Sequence, residues 1–448
     1  MIILSLGSII GVIQAETLAV LAGGSIQEKI DLAVDGDIVA IFGGTYNQDL
    51  TITKRIRLVE INGQDVIITG AVTFTSVADC PPFEGFTVGS NGNKNIVVND
   101  CTGLVISGID HTAGGHIEVN DSDIKITGSA LSAFIHNDGV TALSSSSLTG
   151  KIDQNGGELN VSDVTVAGGF NTFDNAAKTV AFRTTVTGDC NWRSKLSWFG
   201  YGKAQSFNFN GADAKLVFVG SEIDRKDTYG DGITLTGENS RCVVSNSKII
   251  GVRSWYSSNN GARSASPCIN VVGAGHDIVI ANNFLLKNHS GPAALGTSFA
   301  PCINISASTS KMNISNNILY QTQPYYSLIV APFGASVRNN HSVNSADRSE
   351  GGVVALNMTT GDPVFVDGDP YKLGEGSSLI DAGTEDPRYN DRDGSRNDIG
   401  PSGGSWYDPE GWTTEKPVVI SFDLLPDSVL EGSDTKVTIE GVRAVSKP

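Results

Sequence analysis

Two stretches decide the fold: Pro267–Leu286, PCINVVGAGHDIVIANNFLL, and Pro301–Tyr320, PCINISASTSKMNISNNILY. Laid one under the other, Cys268 meets Cys302 and Asn282 meets Asn316, each 34 residues on. The shared core is apolar–x–apolar, one residue, then Asn. The same core recurs as LVISG ending at Gly108, IKITG at Gly128, LNVSD at Asp163, LVFVG at Gly220, CVVSN at Asn246 and, more weakly, ASVRN at Asn339. Alternating apolar residues make a short strand with one buried face. The sharp turn that follows needs the left-handed backbone region, which Gly, Asn and Asp enter at low cost. One such unit is too small to bury its own apolar face, so units must stack. The pattern predicts an all-β, right-handed parallel β-helix with three short strands per coil. Longer intervals between copies carry loops that project from the stack.

The ends add detail. Residues 25–60, SIQEKIDLAVDGDIVAIFGGTYNQDLTITKRIRLVE, resemble the first coil of β-helix carbohydrate-active proteins, with a short amphipathic capping helix over Ser25–Ala33. GDPVFVDGDPYKLGEGSSLIDAGT and NDRDGSRNDIG resemble the C-terminal end of secreted bacterial β-helix proteins. Together they make the chain similar to the pectate-lyase-like superfamily over about Ile26–Gly400. That resemblance implies the scaffold and not one chemistry, because lyases, hydrolases, esterases, tailspikes and adhesins share it. The expected organisation is a signal peptide over 1–15, the β-helix over 16–400, a linker over 401–416, and a tail over 417–448. The tail resembles the opening strands of an immunoglobulin-like module or a packed β-hairpin. Met1–Ala15 is apolar and ends in a small residue, as a secretory segment does, though without a basic start; a buried first strand is the alternative. The expected location is therefore secreted or cell-surface. No stretch is long and apolar enough to predict a membrane span.

Formal net charge is −17, which argues against nucleic acid as partner. The six cysteines (80, 101, 190, 242, 268, 302) form no CxxC pair, so a zinc site is not expected. Cys268 and Cys302 fall at equivalent places on neighbouring coils, as a stacked pair of free thiols, with a disulfide between them as the alternative. Asn282 and Asn316 are expected at turns, with their amides hydrogen-bonded along the stack.

Residues 183–263 break the charge pattern, with eleven Lys and Arg against seven Asp and Glu. They also hold Trp198, Trp255, Tyr229 and Tyr256. Aromatic faces stack on sugar rings and Arg or Lys pairs with carboxylates, so this basic, aromatic segment suits an acidic polysaccharide. The bland alternative is that long loops simply collect such residues. Within it, SEIDRKDTYGDGITL crowds Asp224, Arg225, Lys226, Asp227 and Asp231 together. In a lyase, a cation neutralises a uronate carboxylate and a basic group takes the adjacent proton. Lys226, Arg225 and Arg253 are the candidates for those catalytic roles. Asp224, Asp227 and Asp231 are candidates to hold Ca²⁺. Arg263, Trp255, Tyr256, Trp198 and Tyr229 are candidates to bind substrate. A solvated turn with surface ion pairs is the alternative for this cluster. The expected function is a secreted lyase acting on a uronate polysaccharide by β-elimination. A non-catalytic carbohydrate-binding or adhesin protein, a glycoside hydrolase using a carboxyl pair, and a phage-type fibre remain as alternatives.

Overall fold

A computed structural model describes residues 15–89, 95–256, 263–264, 266–290, 301–306, 311–322, 327–343, 349–350, 355–366, 369–409, 411, 418–425 and 436–442. The expected signal segment falls almost wholly outside them. The chain forms a parallel β-solenoid, and its residues group into two compact units, 1–130 and 131–448.

In the first unit the α-helix Ile26–Leu32 opens where the sequence places it. The Ser25 hydroxyl accepts from the Glu28 N–H at the N-cap, and Ile26 and Ile30, one turn apart, are buried. Gln27 accepts from the Thr51 N–H at 2.8 Å and donates to the Thr51 carbonyl at 3.2 Å. The helix thereby occupies backbone groups on the strand Leu50–Ile52, the kind of edge that otherwise recruits further strands. Parallel rungs then follow in three sheets, for example Leu50–Ile52, Val72–Thr75, Ile96–Asn99 and Ile117–Asn120 in one of them.

The second unit repeats one plan. A short rung such as Phe134–His136 leads into a longer rung such as Gly139–Ser144. A sharp turn then leads to a third rung such as Ser147–Leu148. Each rung pairs in parallel with its counterpart one coil on. The interior is filled by side chains from all three sheets. Phe170, Trp192, Phe199, Phe207 and Phe218 pack ring against ring with centroids 4.9–5.8 Å apart.

The turn after the long rung has positive φ at every copy named from the sequence: Gly108, Gly128, Asp163, Gly220, Asn246, Asn282, Asn316 and Asn339. The coils the pattern skipped fill the same position with Ser145, Arg183 and Tyr201, also at positive φ. These types do not enter that region cheaply, so tertiary contacts hold them. The Arg183 guanidinium makes two 2.7 Å bonds to Asp163 in the turn below, and lies 4.4 Å over the Phe182 ring. Tyr201 sets its ring edge-on to Phe182.

Asn282 and Asn316 stand at turns as expected, but one expectation about asparagine changes. The ladder along the stack is made not by Asn282 and Asn316 but by the residues after them. The Asn283 amide donates to Asn317 Oδ1 at 2.9 Å and the Asn317 amide to Asn340 Oδ1 at 2.8 Å, all three being fully buried. The turn asparagines instead hold the C-terminal segment against the stack. Asn339 donates to Ala382 and Gly383 carbonyls, and Asn316 Oδ1 accepts from the Thr384 N–H. Asn282 donates to Asn397 Oδ1 and the Asp398 carbonyl, and Asn246 to the Pro401 and Gly403 carbonyls. Residues 379–411 therefore form a strap that runs back down the flank. Leu379 and Ile399 of the strap, with Leu373, complete a cluster on Phe284 and Ile318. Among the described residues the last rungs of the stack end at Thr360. In the tail, Val418–Leu425 and Lys436–Val442 pair antiparallel. An immunoglobulin-like module is not established by that pair.

Candidate functional site

The short sheet of the second unit has rungs of three or four residues, and on each a polar residue faces out between two inward-turned neighbours. In register these outward residues are Asp153, Asn171, Asn191, Asn208, Thr234, Asn270 and Asn304. Their amides form a second, outward ladder. Asn171 donates to Asp153 at 2.9 Å, Asn191 to Asn171 at 3.0 Å, Asn208 to Asn191 at 2.9 Å and Asn304 to Asn270 at 2.9 Å. Thr234 replaces asparagine on one rung, and there Asp231 supplies the missing acceptor. Its Oδ2 takes the Asn270 amide at 2.7 Å and the Thr234 hydroxyl at 3.1 Å.

Beside Asp231 the neighbouring sheet grows long. Glu222–Tyr229, Lys248–Tyr256 and Phe284–Ser290 have eight, nine and seven residues, where the rung Lys203–Ala204 has two. Tyr229, Arg253 and Asn288 sit side by side on this extension. The Arg253 guanidinium carbon lies 5.6 Å from the Tyr229 ring centroid, and Tyr229 is 44% exposed.

The cluster singled out in the sequence is a bulge on this wall. Pairing shifts between Asp224 and Thr228, and Lys226 and Asp227 both have positive φ. Asp224 Oδ1 accepts from the Lys226 N–H at 2.8 Å, and the Thr228 hydroxyl donates to the Arg225 carbonyl at 2.6 Å. The bulge rests on Gly251, where a β-carbon would come within 2.7 Å of both Asp224 Oδ1 and Lys226 N. Its geometry separates adjacent residues. Lys226 and Asp227 are exposed, with the Asn288 amide bonded to Asp227. Arg225 folds back with its side chain only 12% exposed. It donates to the Tyr229 carbonyl at 2.6 Å and stands 3.5 Å from Asp189. Asp189 also accepts from the Ser206 hydroxyl at 2.5 Å.

Behind Asp231 lies Lys287, fully buried, donating to the Pro301 carbonyl at 3.3 Å. Burial lowers its pKa to about 8, against the opposing pull of Cys302, Cys268 and Asp231. Burial raises the pKa of Asp231, and the bonds from Asn270 and Thr234 and the charges of Lys287 and Arg225 oppose that rise. Cys268 and Cys302 are both buried free thiols on adjacent coils, as expected. Burial, then the contact with Cys302, pushes the Cys268 pKa well up, which keeps it a thiol.

The site thus brings together Arg225, Arg253, Tyr229 and Asp231 from the residues named in the sequence. Trp198, expected to stack on sugar, is 1% exposed and stacked on Phe182 at 5.7 Å; it is a packing residue. The backbones of Trp255 and Ser264, and of Tyr256 and Arg263, pair antiparallel. The side chains of Trp255, Tyr256 and Arg263 lie outside the described residues. Asp224, Asp227 and Asp231 do not converge as Ca²⁺ ligands. Among the described residues no three His, Cys, Asp or Glu side chains are placed to hold a metal. Asp189, Lys287 and the outward asparagines were missed. The signal of the asparagines is the polar residue that follows an apolar one inside FNT, CNW, FNF, INV and INI.

No protein-family model and no curated protein matches this sequence. Among solved structures the chain is similar to an alginate lyase of polysaccharide lyase family 6, solved as an arginine-to-alanine mutant. Identity is 11% and the TM-score 0.39, over 88% of this chain and 59% of that one, so the chain spans less than two thirds of that protein. Among the described residues no helix is long and apolar enough to cross a membrane.

Proposed function

We propose that the protein binds an acidic polysaccharide along the outward amide ladder and cleaves it by β-elimination beside Asp231. The observation that carries this reading is Asp231, a half-buried carboxylate bonded to Asn270 and Thr234 where the ladder changes from asparagine to threonine, with the long wall of Arg225, Tyr229 and Arg253 on the neighbouring sheet. Amides donate and accept at once, as sugar hydroxyls do, and one rung recurs about every 4.8 Å. Arg253 and Tyr229 present a cation and a ring face on the adjoining wall. On a bound uronate, Arg225 or Arg253 pairs with the carboxylate and stabilises charge as the neighbouring carbon loses its proton. Asp231 takes that proton as the carbon–oxygen bond to the leaving sugar breaks; the departing oxygen takes a proton from water, and an unsaturated uronate is left. Lys226 stands on the outer bulge, suited to holding the polymer. Secretion fits a polymeric substrate of this kind.

A second reading is binding without cleavage. It is favoured by the ties already made by the site's groups: Asp231 to Asn270 and Thr234, and Arg225 to Tyr229. Incubation with alginate, pectate and glycosaminoglycans, with and without Ca²⁺, separates the two. Ultraviolet absorbance from unsaturated product supports the lyase. Retardation in a polysaccharide gel with no product supports binding alone, and neither result defeats both.

A further inference from the structure

The long rungs of the second unit carry a buried apolar stripe on their outer side. In Lys178–Phe182, Leu196–Gly200, Lys215–Val219 and Arg241–Ser245 the second and fourth residues point inward; Phe199 and Phe218, for example, pack on Phe207 of the facing sheet. Alternation therefore turns the third residues outward. In register these are Val180, Trp198, Val217 and Val243. They are 6%, 1%, 1% and 8% exposed, as core residues are. The first three join Phe182, Tyr201 and Val219 in a cluster of their own. The burial belongs to these coils and not to the sheet as a whole. One coil on, Val279 stands in the same column and is only half-buried; one coil back, so is Asn160. A sheet face buries its outward apolar side chains only against another layer, so a layer lies over this stretch.

The chain itself arrives at the rim of the stripe. The strap descends past the turns at Asn282 and Asn246, and at Gly411 a β-carbon would run into the Tyr201 ring. Val418 follows seven residues later, within about 24 Å of extended chain. The strands Val418–Leu425 and Lys436–Val442 pair Phe422 with Ile439 and Leu424 with Val437, in alternation with Ser421–Glu440 and Asp423–Thr438. The register thus puts four apolar positions on one side of the hairpin and four polar ones on the other. A two-stranded hairpin alone is marginally stable in water, so this one needs a surface. Its eight-residue strand reaches about 27 Å, and the four coils of the stripe span about 14 Å from first to last.

We propose that the outer stripe is the docking surface for this hairpin of the same chain, seated by its apolar side. The inference stands apart from the polymer site and does not need the protein to be an enzyme. It closes the long-rung face and leaves the amide ladder of the short sheet open. The test uses the full chain labelled with fluorotryptophan, with resonances assigned through Trp198→Phe and Trp192→Phe. Trp192 lies inside the stack and serves as internal reference. Trp198 shows no solvent isotope shift between light and heavy water in the unaltered chain. In Phe422→Asp and Ile439→Asp it gains one while Trp192 does not. Thr438→Lys, on the hairpin's polar side, leaves both shielded. From the other partner, Trp198→Ala speeds amide exchange across Val418–Leu425 at least about tenfold, a readout that decides the matter even where an aspartate variant fails to fold. Five results would each overturn the proposal: Trp198 open to solvent in the unaltered chain, Trp198 still shielded in both folded aspartate variants, equal exposure in Thr438→Lys, unchanged exchange in Trp198→Ala, or shielding lost on dilution to monomer, which would make the covering layer a second copy.

Discussion

Asparagine climbs this solenoid twice, and the two ladders behave as different materials. The inner one, Asn283–Asn317–Asn340, is fully buried, and each side-chain oxygen also accepts a backbone N–H from the coil below. The outer one, from Asn171 to Asn304, makes the same amide-to-amide bond at the same spacing but keeps one side in water. In the interior, an amide without its partner bears the full cost of desolvation; at the surface, water replaces the partner. The inner ladder is therefore bound to fixed positions for stability, and the outer one is free to exchange partners with a ligand.

Substitutions test this contrast, the largest effect first. Asn317→Ala strands the Asn283 amide and N–H and the Ile280 carbonyl, and is expected to cost about 4 kcal/mol in urea unfolding. A loss below 1 kcal/mol would mean the inner ladder is as replaceable as the outer one. Asp231→Asn keeps the rung's shape but removes the base. Product formation should fall at least about 100-fold, near 3 kcal/mol of barrier, with gel retardation preserved. Equal losses of binding and rate would make Asp231 only a rung. Asn208→Ala, on the outer ladder away from Asp231, should leave stability within about 0.5 kcal/mol and weaken polysaccharide retention about tenfold. Unchanged retention would remove the outer ladder from the binding surface.

The smallest effect concerns the strap. Burial, joined by the nearby Asp391, raises the Asp398 pKa to about 6. A raised carboxyl stabilises the fold fully below the ordinary carboxylate pKa and loses that contribution as pH climbs through about 6. Asp398→Asn should flatten the stability profile between about pH 4 and 6. At neutral pH it should gain about 1 kcal/mol, a figure reduced because Asp398 is half exposed. A melting curve that keeps its slope over that range would assign the pH dependence to other carboxyls.

How far the sequence could be read follows from the same physics. Turn positions held by Gly, Asn or Asp announce themselves, because backbone cost alone selects those types. Arg183 and Tyr201 occupy the same turn silently, since what holds them there is a neighbour: Asp163 for one, Phe182 for the other. The capping helix was legible through the resemblance of residues 25–60 to the first coil of other β-helix proteins, and the structure adds the Ser25 cap and the buried Ile26 and Ile30 behind it. The strap was not, because a return path down the flank has no period and reads like further coil. Charge reversal pointed to the segment with Arg225, Tyr229 and Arg253, but Asp231 could not be set apart from Asp224 and Asp227. Only the bulge on Gly251 separates them, and that depends on a contact between strands of different coils. Lys287 left no mark at all, since nothing local distinguishes a buried lysine from a solvated one.

Solenoids evolve readily by duplicating or losing a coil, because each coil asks only that its neighbours resemble it. The strap removes that freedom over part of this one. Its carbonyls and N–H groups meet Asn339, Asn316, Asn282 and Asn246 in a set order, three coil steps from first to last. One coil inserted between them would shift every later contact by about 4.8 Å, more than a hydrogen bond tolerates. The C-terminal segment thus acts as a gauge of coil number: length can drift among the earlier coils, while the count from Asn246 to Asn339 is fixed by a piece of chain that belongs to none of them.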